Sequence, residues 1–68
     1  MKILRTQQNE NGMVIEVSEL DDSRQQRFRV SVRKQSGEVI TTDHFFTRNE
    51  ADDHANFFSS ILELVVQP

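Results

Sequence analysis

His44 and His54 are the only imidazoles in the chain, and each has an acid directly before it, Asp43 and Asp53. Adjacent histidine and aspartate are the residue types of proton relays and metal sites, so their geometry is the first question. In a helix, Asp53 and His54 point about 100° apart. On a strand, Asp43 and His44 lie on opposite faces and cannot grip one ion together. Glu50 and His54, four positions apart, read as an ordinary helix-surface ion pair. A joint site built from Asp43, His44 and the start of a helix would require tertiary convergence. Ser59 and Ser60 have no strained glycine turn around them of the kind that activates a nucleophilic serine. The two glycines, Gly12 and Gly37, form no phosphate-cradling loop, and no cysteine is present to supply a thiolate. The expectation is therefore no enzyme: no catalytic residue, no metal ligand and no cofactor.

The second chemical signal is cationic. Arg24, Arg27, Arg29, Arg33 and Lys34 are five of the eight basic residues, and no acid falls between Ser23 and Gly37. Arg27, Arg29 and Arg33 alternate with Phe28, Val30 and Val32, so on a strand their guanidinium groups line one face. Such a row suits a phosphate backbone or an acidic protein surface. Its plainer reading is a solvated strand face, with Glu16, Glu19 and Asp43 on neighbouring strands as cross-strand partners.

These side chains need elements to hold them. Asn9 to Gly12 ends a weakly alternating segment and carries the Asn-Gly dipeptide of hairpin turns. Met13 to Leu20 alternates as a strand, with Met13, Ile15 and Val17 on one side. Asp21 to Gln26 is polar and reads as a loop. Arg27 to Lys34 is a second clear strand, Gln35-Ser36-Gly37 a hairpin loop with glycine at its left-handed position, and Glu38 to Phe46 the last strand. Thr47-Arg48-Asn49-Glu50 is a capping box that opens a helix, and Phe46 can staple onto Ala51. Along that helix Ala51, Ala55, Phe58, Ile61, Leu62 and Val65 recur at helical spacing, opposite Asp52, Asn56, Ser59 and Glu63. Glu50, Asp52 and Asp53 suit the positive end of the helix dipole. The expected fold class is α+β in two layers: an antiparallel meander of three to four strands with one C-terminal amphipathic helix on one sheet face.

At 68 residues the chain has room for one core, and residues 1–68 are read as a single domain. Its hydrophobic fraction of 35% is low but clustered into periodic runs, which argues for folding. The net charge of −3 weighs against whole-molecule attraction to nucleic acid or anionic lipid. No apolar run approaches the roughly 18 residues of a membrane span, and Met1 to Arg5 has no signal-peptide pattern behind it. With no cysteine, the expectation is a cytoplasmic protein that does not engage membranes.

The register of the last hairpin decides what the second sheet face shows. A three-residue loop brings Asp43 opposite Arg29 and leaves Val39 and Phe45 on the outer face with Val14 and Leu20. A two-residue loop brings His44 opposite Arg29, turns Val39, Thr41, Asp43 and Phe45 inward and exposes Ile40 and Phe46. The first is expected, because an inward Asp43 without a partner is unfavourable. Either way the last strand has large apolar groups on both faces and no further element to cover the outer one. Apolar groups beside arginine are the composition of an interface centre, and a core this small gains from association. Arg27, Arg29, Arg33, Val39 and Phe45 are the candidate partner-binding residues. Phe57, Leu64 and Val66 flank the helix stripe and extend either the core or this surface. The expected role is binding another protein or a second copy, a homodimer for example, through the outer sheet face or the edge strand. Nucleic-acid binding through Arg27, Arg29 and Arg33 is the second expectation.

Overall fold

The computed structural model describes the backbone of residues 1–21 and 25–66 and the side chains through residue 61. Arg24 and the polar residues before it, and the side chains of Leu62, Glu63, Leu64, Val65 and Val66, lie outside the described residues. Four strands, β1 (Lys2–Gln8), β2 (Val14–Glu19), β3 (Phe28–Arg33) and β4 (Val39–Phe45), form one antiparallel sheet in the order β1-β2-β3-β4. One helix, α1 (Arg48–Val66), follows and packs over β2, β3 and β4. The chain is thus an α+β meander with a single helical layer, and the N-terminal segment is a full edge strand.

Alternation builds the sheet. Ile15 and Val17 of β2 and Val30 and Val32 of β3 are buried with Ala51 and Ala55 of α1, and Leu4, Met13, Phe28, Phe45 and Phe58 pack around them. Alanine at both central helix positions, each 0% exposed, lets the helix backbone approach the branched valines of the sheet. Both hairpins close with one glycine in the left-handed region, Gly12 at φ 80° and Gly37 at φ 96°. In the first, the Asn9 side-chain oxygen accepts from the amides of Asn11 and Met13, each at 3.0 Å, and so shapes the turn from within.

The capping box forms as its sequence implies. The Glu50 amide donates to the Thr47 hydroxyl oxygen at 3.2 Å, and the Glu50 carboxylate accepts from the Thr47 amide at 3.2 Å. Phe46, just before the cap, stands 54% exposed.

The register of β4 corrects the expected one. The loop does span three residues: Lys34 donates its amide to Glu38 across Gln35-Ser36-Gly37. Val39 pairs with Arg33 as that loop requires, and remains on the outer face. Between Val39 and Thr41 the register then slips by one, with Ile40 as the extra residue of a β-bulge. Beyond it every residue changes face. His44, not Asp43, lies opposite Arg29, while Asp43 lies opposite Val30 and Phe45 opposite Phe28. The objection to an inward Asp43 is met by the helix, because His54 Nε2 sits 3.1 Å from Asp43 Oδ2. Phe45 is therefore withdrawn from the outer face: it packs on the core, its ring 4.9 Å from that of His54.

Candidate functional site

Strand pairing places the outer-face residues in rows. Ile3, Ser18, Arg29 and His44 form one row, Thr6, Glu16, Ser31 and Thr42 the next, and Gln8, Val14, Arg33 and Val39 the third. The middle of this face is polar and tightly covered: Glu16, Ser18 and Ser31 are all buried although no helix lies above them. Long neighbouring side chains do the covering. Arg33 reaches across to Glu16 at 3.2 Å, and the Arg29 guanidinium lies against the sulfur of Met1. The terminal amine of Met1 is in turn held by Asp21. Ser18 Oγ and Arg29 Nε, on adjacent strands, are buried without a hydrogen-bond partner among the described residues.

The three arginines on this side do not present three free charges. Arg33 is held by Glu16, and Arg27 lies 3.7 Å from Glu19 while its guanidinium stacks 5.7 Å from the Phe28 ring centre. Two of the three carboxylates expected to neutralise the row do so, and the third, Asp43, is turned to the helix. Arg29 is the remaining cation and faces His44 across the strands. A shallow concavity lined by Gln25, Gln26, His44 and Phe46 adjoins it.

Both edge strands are bulged, and each bulge delivers a charge to the helix. In β1 the register slips between Ile3 and Arg5, so Arg5 faces inward opposite Val17. Its guanidinium donates to Asn56 Oδ1 at 2.6 Å and lies 3.5 Å from Asp52. In β4 the slip delivers Asp43 to His54, and the Thr41 hydroxyl donates to the same carboxylate oxygen at 3.3 Å. The helix is thus clamped on opposite flanks by a cation from β1 and an anion from β4. The sequence reading missed the Asp43–His54 pair because the residues are eleven apart and join only through packing.

The two flanks of α1 differ in chemistry. At about 100° per residue, Asp52, Asn56 and Ser59 fall on the β1 side of the buried alanines, and His54, Phe57 and Ile61 on the β4 side. Phe57 is 60% exposed. Val39 and Ile40 at the start of β4, and Phe46 just after its other end, are exposed large apolar groups on that same side, while Met1 and Ile3 mark the opposite corner of the outer face.

The β4 edge also offers backbone groups. Leu20 donates its amide to the Arg27 carbonyl, which sets the phase of the antiparallel ladder. Alternation from there directs Phe28 and Val30 toward β4, so their partners Phe45 and Asp43 point back at β3. The amides and carbonyls of Thr42 and His44 consequently face away from the sheet.

Among the described residues no three His, Cys, Asp or Glu side chains converge, and no helix is long and apolar enough to cross a membrane. No protein-family model, curated protein or solved structure matches this chain.

Proposed function

We propose that this chain is a non-enzymatic interaction module whose working surface is the β4 side of the molecule. The observation that carries the reading is that exposed Val39, Ile40, Phe46 and Phe57 are distributed along the one side of the molecule that ends in the β4 edge with its free backbone groups. Large apolar side chains lined along one edge, four of the six exposed among the described residues, are the composition of an interaction surface. An unpaired edge strand adds directional hydrogen bonding to that apolar area. Phe45 is not part of the surface, whereas Val39 remains on it, with Arg29 at its outer-face border.

A photo-crosslinking side chain placed at Phe46 or Phe57 tests the reading in cells. Discrete adducts from those two positions and none from Thr6 on β1 are expected. Absence of adducts at Phe46 and Phe57, or equal adducts at Thr6, overturns it. Nucleic-acid binding through Arg27, Arg29 and Arg33 ranks second, since Glu19 and Glu16 already occupy two of the three guanidinium groups.

A further inference from the structure

We infer that the occupant of the β4 side is a second copy of this chain, paired β4 to β4 about a two-fold axis through Thr42. The result is a continuous eight-stranded antiparallel sheet with both helices on one face. The inference rests on the interaction reading above and names its partner.

Three observations select a second copy. The first is the edge itself. Exposed amides and carbonyls at Thr42 and His44 allow antiparallel self-pairings centred on Thr42, on Asp43 or on His44. The His44 centre sets the two imidazoles against each other and Asp43 against Phe45, with no favourable pair among them. The Asp43 centre sets two carboxylates directly opposite each other, which is unfavourable. The Thr42 centre sets Thr42 against Thr42, Thr41 against Asp43 and Ile40 against His44. Threonine pairs and threonine–carboxylate pairs are favourable cross-strand neighbours, and no like charges meet. The edge is therefore complementary to itself in one register.

The second observation is that the same axis serves the other layer. Residues opposite each other in an antiparallel pair share a face, so the two helices come to lie side by side. Strands spaced about 4.8 Å apart put helices seated over β2 and β3 of each copy roughly 14–19 Å apart. That exceeds the 8–10 Å of closely packed helices, and large side chains are needed to fill the gap. Phe57 and Ile61 are on the flank that faces it. The opposite flank, with Asp52, Asn56 and Ser59, is polar, and its Asp52 and Asn56 are engaged by Arg5.

The third is area. Val39, Ile40, Phe46 and Phe57 are 58%, 47%, 54% and 60% exposed. With a phenylalanine side chain presenting on the order of 150–250 Å², these four alone offer about 400 Å² of apolar surface. The backbone edge and Ile61 add to it, toward the roughly 800 Å² per partner of a stable association. The β1 edge offers less: Met1 and Ile3 are exposed at one corner, but the rest of the strand presents Lys2, Thr6 and glutamines, and Arg5 is drawn under the helix.

The test uses the full chain, which contains no cysteine. In the proposed pairing the two Thr42 Cα atoms are hydrogen-bonded neighbours about 5.5 Å apart, within disulfide reach. Mild oxidation of Thr42→Cys is expected to give a covalent dimer, and the same treatment of Thr6→Cys none. Sedimentation of the unmodified chain at micromolar concentration is expected to show a dimer. Thr42→Pro should raise its dissociation constant about tenfold or more while circular dichroism stays unchanged, since that amide is unused within the monomer. A monomer by sedimentation, or a Thr42→Cys protein that fails to cross-link, overturns the inference. If Phe46 or Phe57 then cross-links to a different protein in cells, the interaction reading stands without self-association. If neither captures anything, both fall.

Discussion

The two edges of this small sheet use the same backbone device to opposite ends. Each edge strand carries one bulge, and each bulge turns a charged side chain under the helix, Arg5 from β1 and Asp43 from β4. On the β1 side the charge is met by Asp52 and Asn56, and the helix flank there is polar, with exposed Met1 and Ile3 at the outer-face corner. On the β4 side His54 meets the charge, after which the surface turns apolar around Phe46, Phe57, Val39 and Ile40. A bulged edge is a common defence against unwanted strand pairing. Both edges keep unpaired backbone groups, at β1 among Lys2, Thr6 and glutamines with Ile3 exposed at one end, at β4 among exposed Val39, Ile40 and Phe46. The difference teaches that the helix is positioned by charge on both flanks, while an exposed aromatic, Phe57, stands only on the β4 flank.

The comparison is most easily broken at the point both sides share. Ala55 is fully buried between helix and sheet, and Ala55→Leu should cost about 1–3 kcal/mol by overpacking. That is a large part of the roughly 3–5 kcal/mol a core of this size supplies. A thermal melt that does not move would mean that the helix is not seated on the sheet and that the two flanks are not distinct.

Arg33→Ala comes next and sharpens the contrast between structural and binding arginines. It leaves Glu16, 7% exposed, without its partner, and should destabilise by about 1–2 kcal/mol. Arg27→Ala should change stability by less than about 0.5 kcal/mol, because both of its pair are partly in water. Urea titration checks the ranking, and equal losses would contradict the assigned burial. Because Arg27→Ala leaves the fold intact, it also tests the nucleic-acid reading. Affinity for a DNA duplex that falls on this substitution and weakens steeply with salt would favour that role over a protein partner.

Thr47→Ala removes the cap and should cost about 1 kcal/mol, read as a lower melting temperature with reduced helicity at the start of α1. It loosens both clamps together and so serves as the control for the smallest effects. A double-mutant cycle on Asp43 and His54 should give a coupling of about 0.5–1 kcal/mol. The matching cycle on Arg5 and Asp52 should give less, since Arg48 also approaches Asp52 at 3.6 Å and remains after Arg5 is removed. Larger coupling at Arg5 than at His54 would reverse which flank is the more firmly held.

Much of this could be read along the chain. The alternation of β2 and β3, the three-residue loop before β4, the capping box at Thr47 and the alanine stripe of α1 are local patterns, and local patterns set local conformation. Val39 was placed on the outer face correctly for the same reason, since it follows directly from the loop. Phe45 was misplaced because a bulge at Ile40 intervenes, and a bulge inserts one residue without a distinctive residue type to mark it. An unpaired inward carboxylate is unfavourable, but Asp43 is not unpaired, because His54, eleven residues away in the chain, meets it from the helix.

The order of residues by itself therefore determined that β2, β3 and β4 are strands, where the helix starts and which face of its first turns is buried, because periodicity and turn chemistry act over a few residues. The weakly alternating β1 is fixed as a strand only by pairing with β2. Tertiary structure alone decided which charges lie under the helix and which apolar groups are left outside. Those outcomes depend on strand register, and register is chosen by whatever the facing layer offers to each inward side chain.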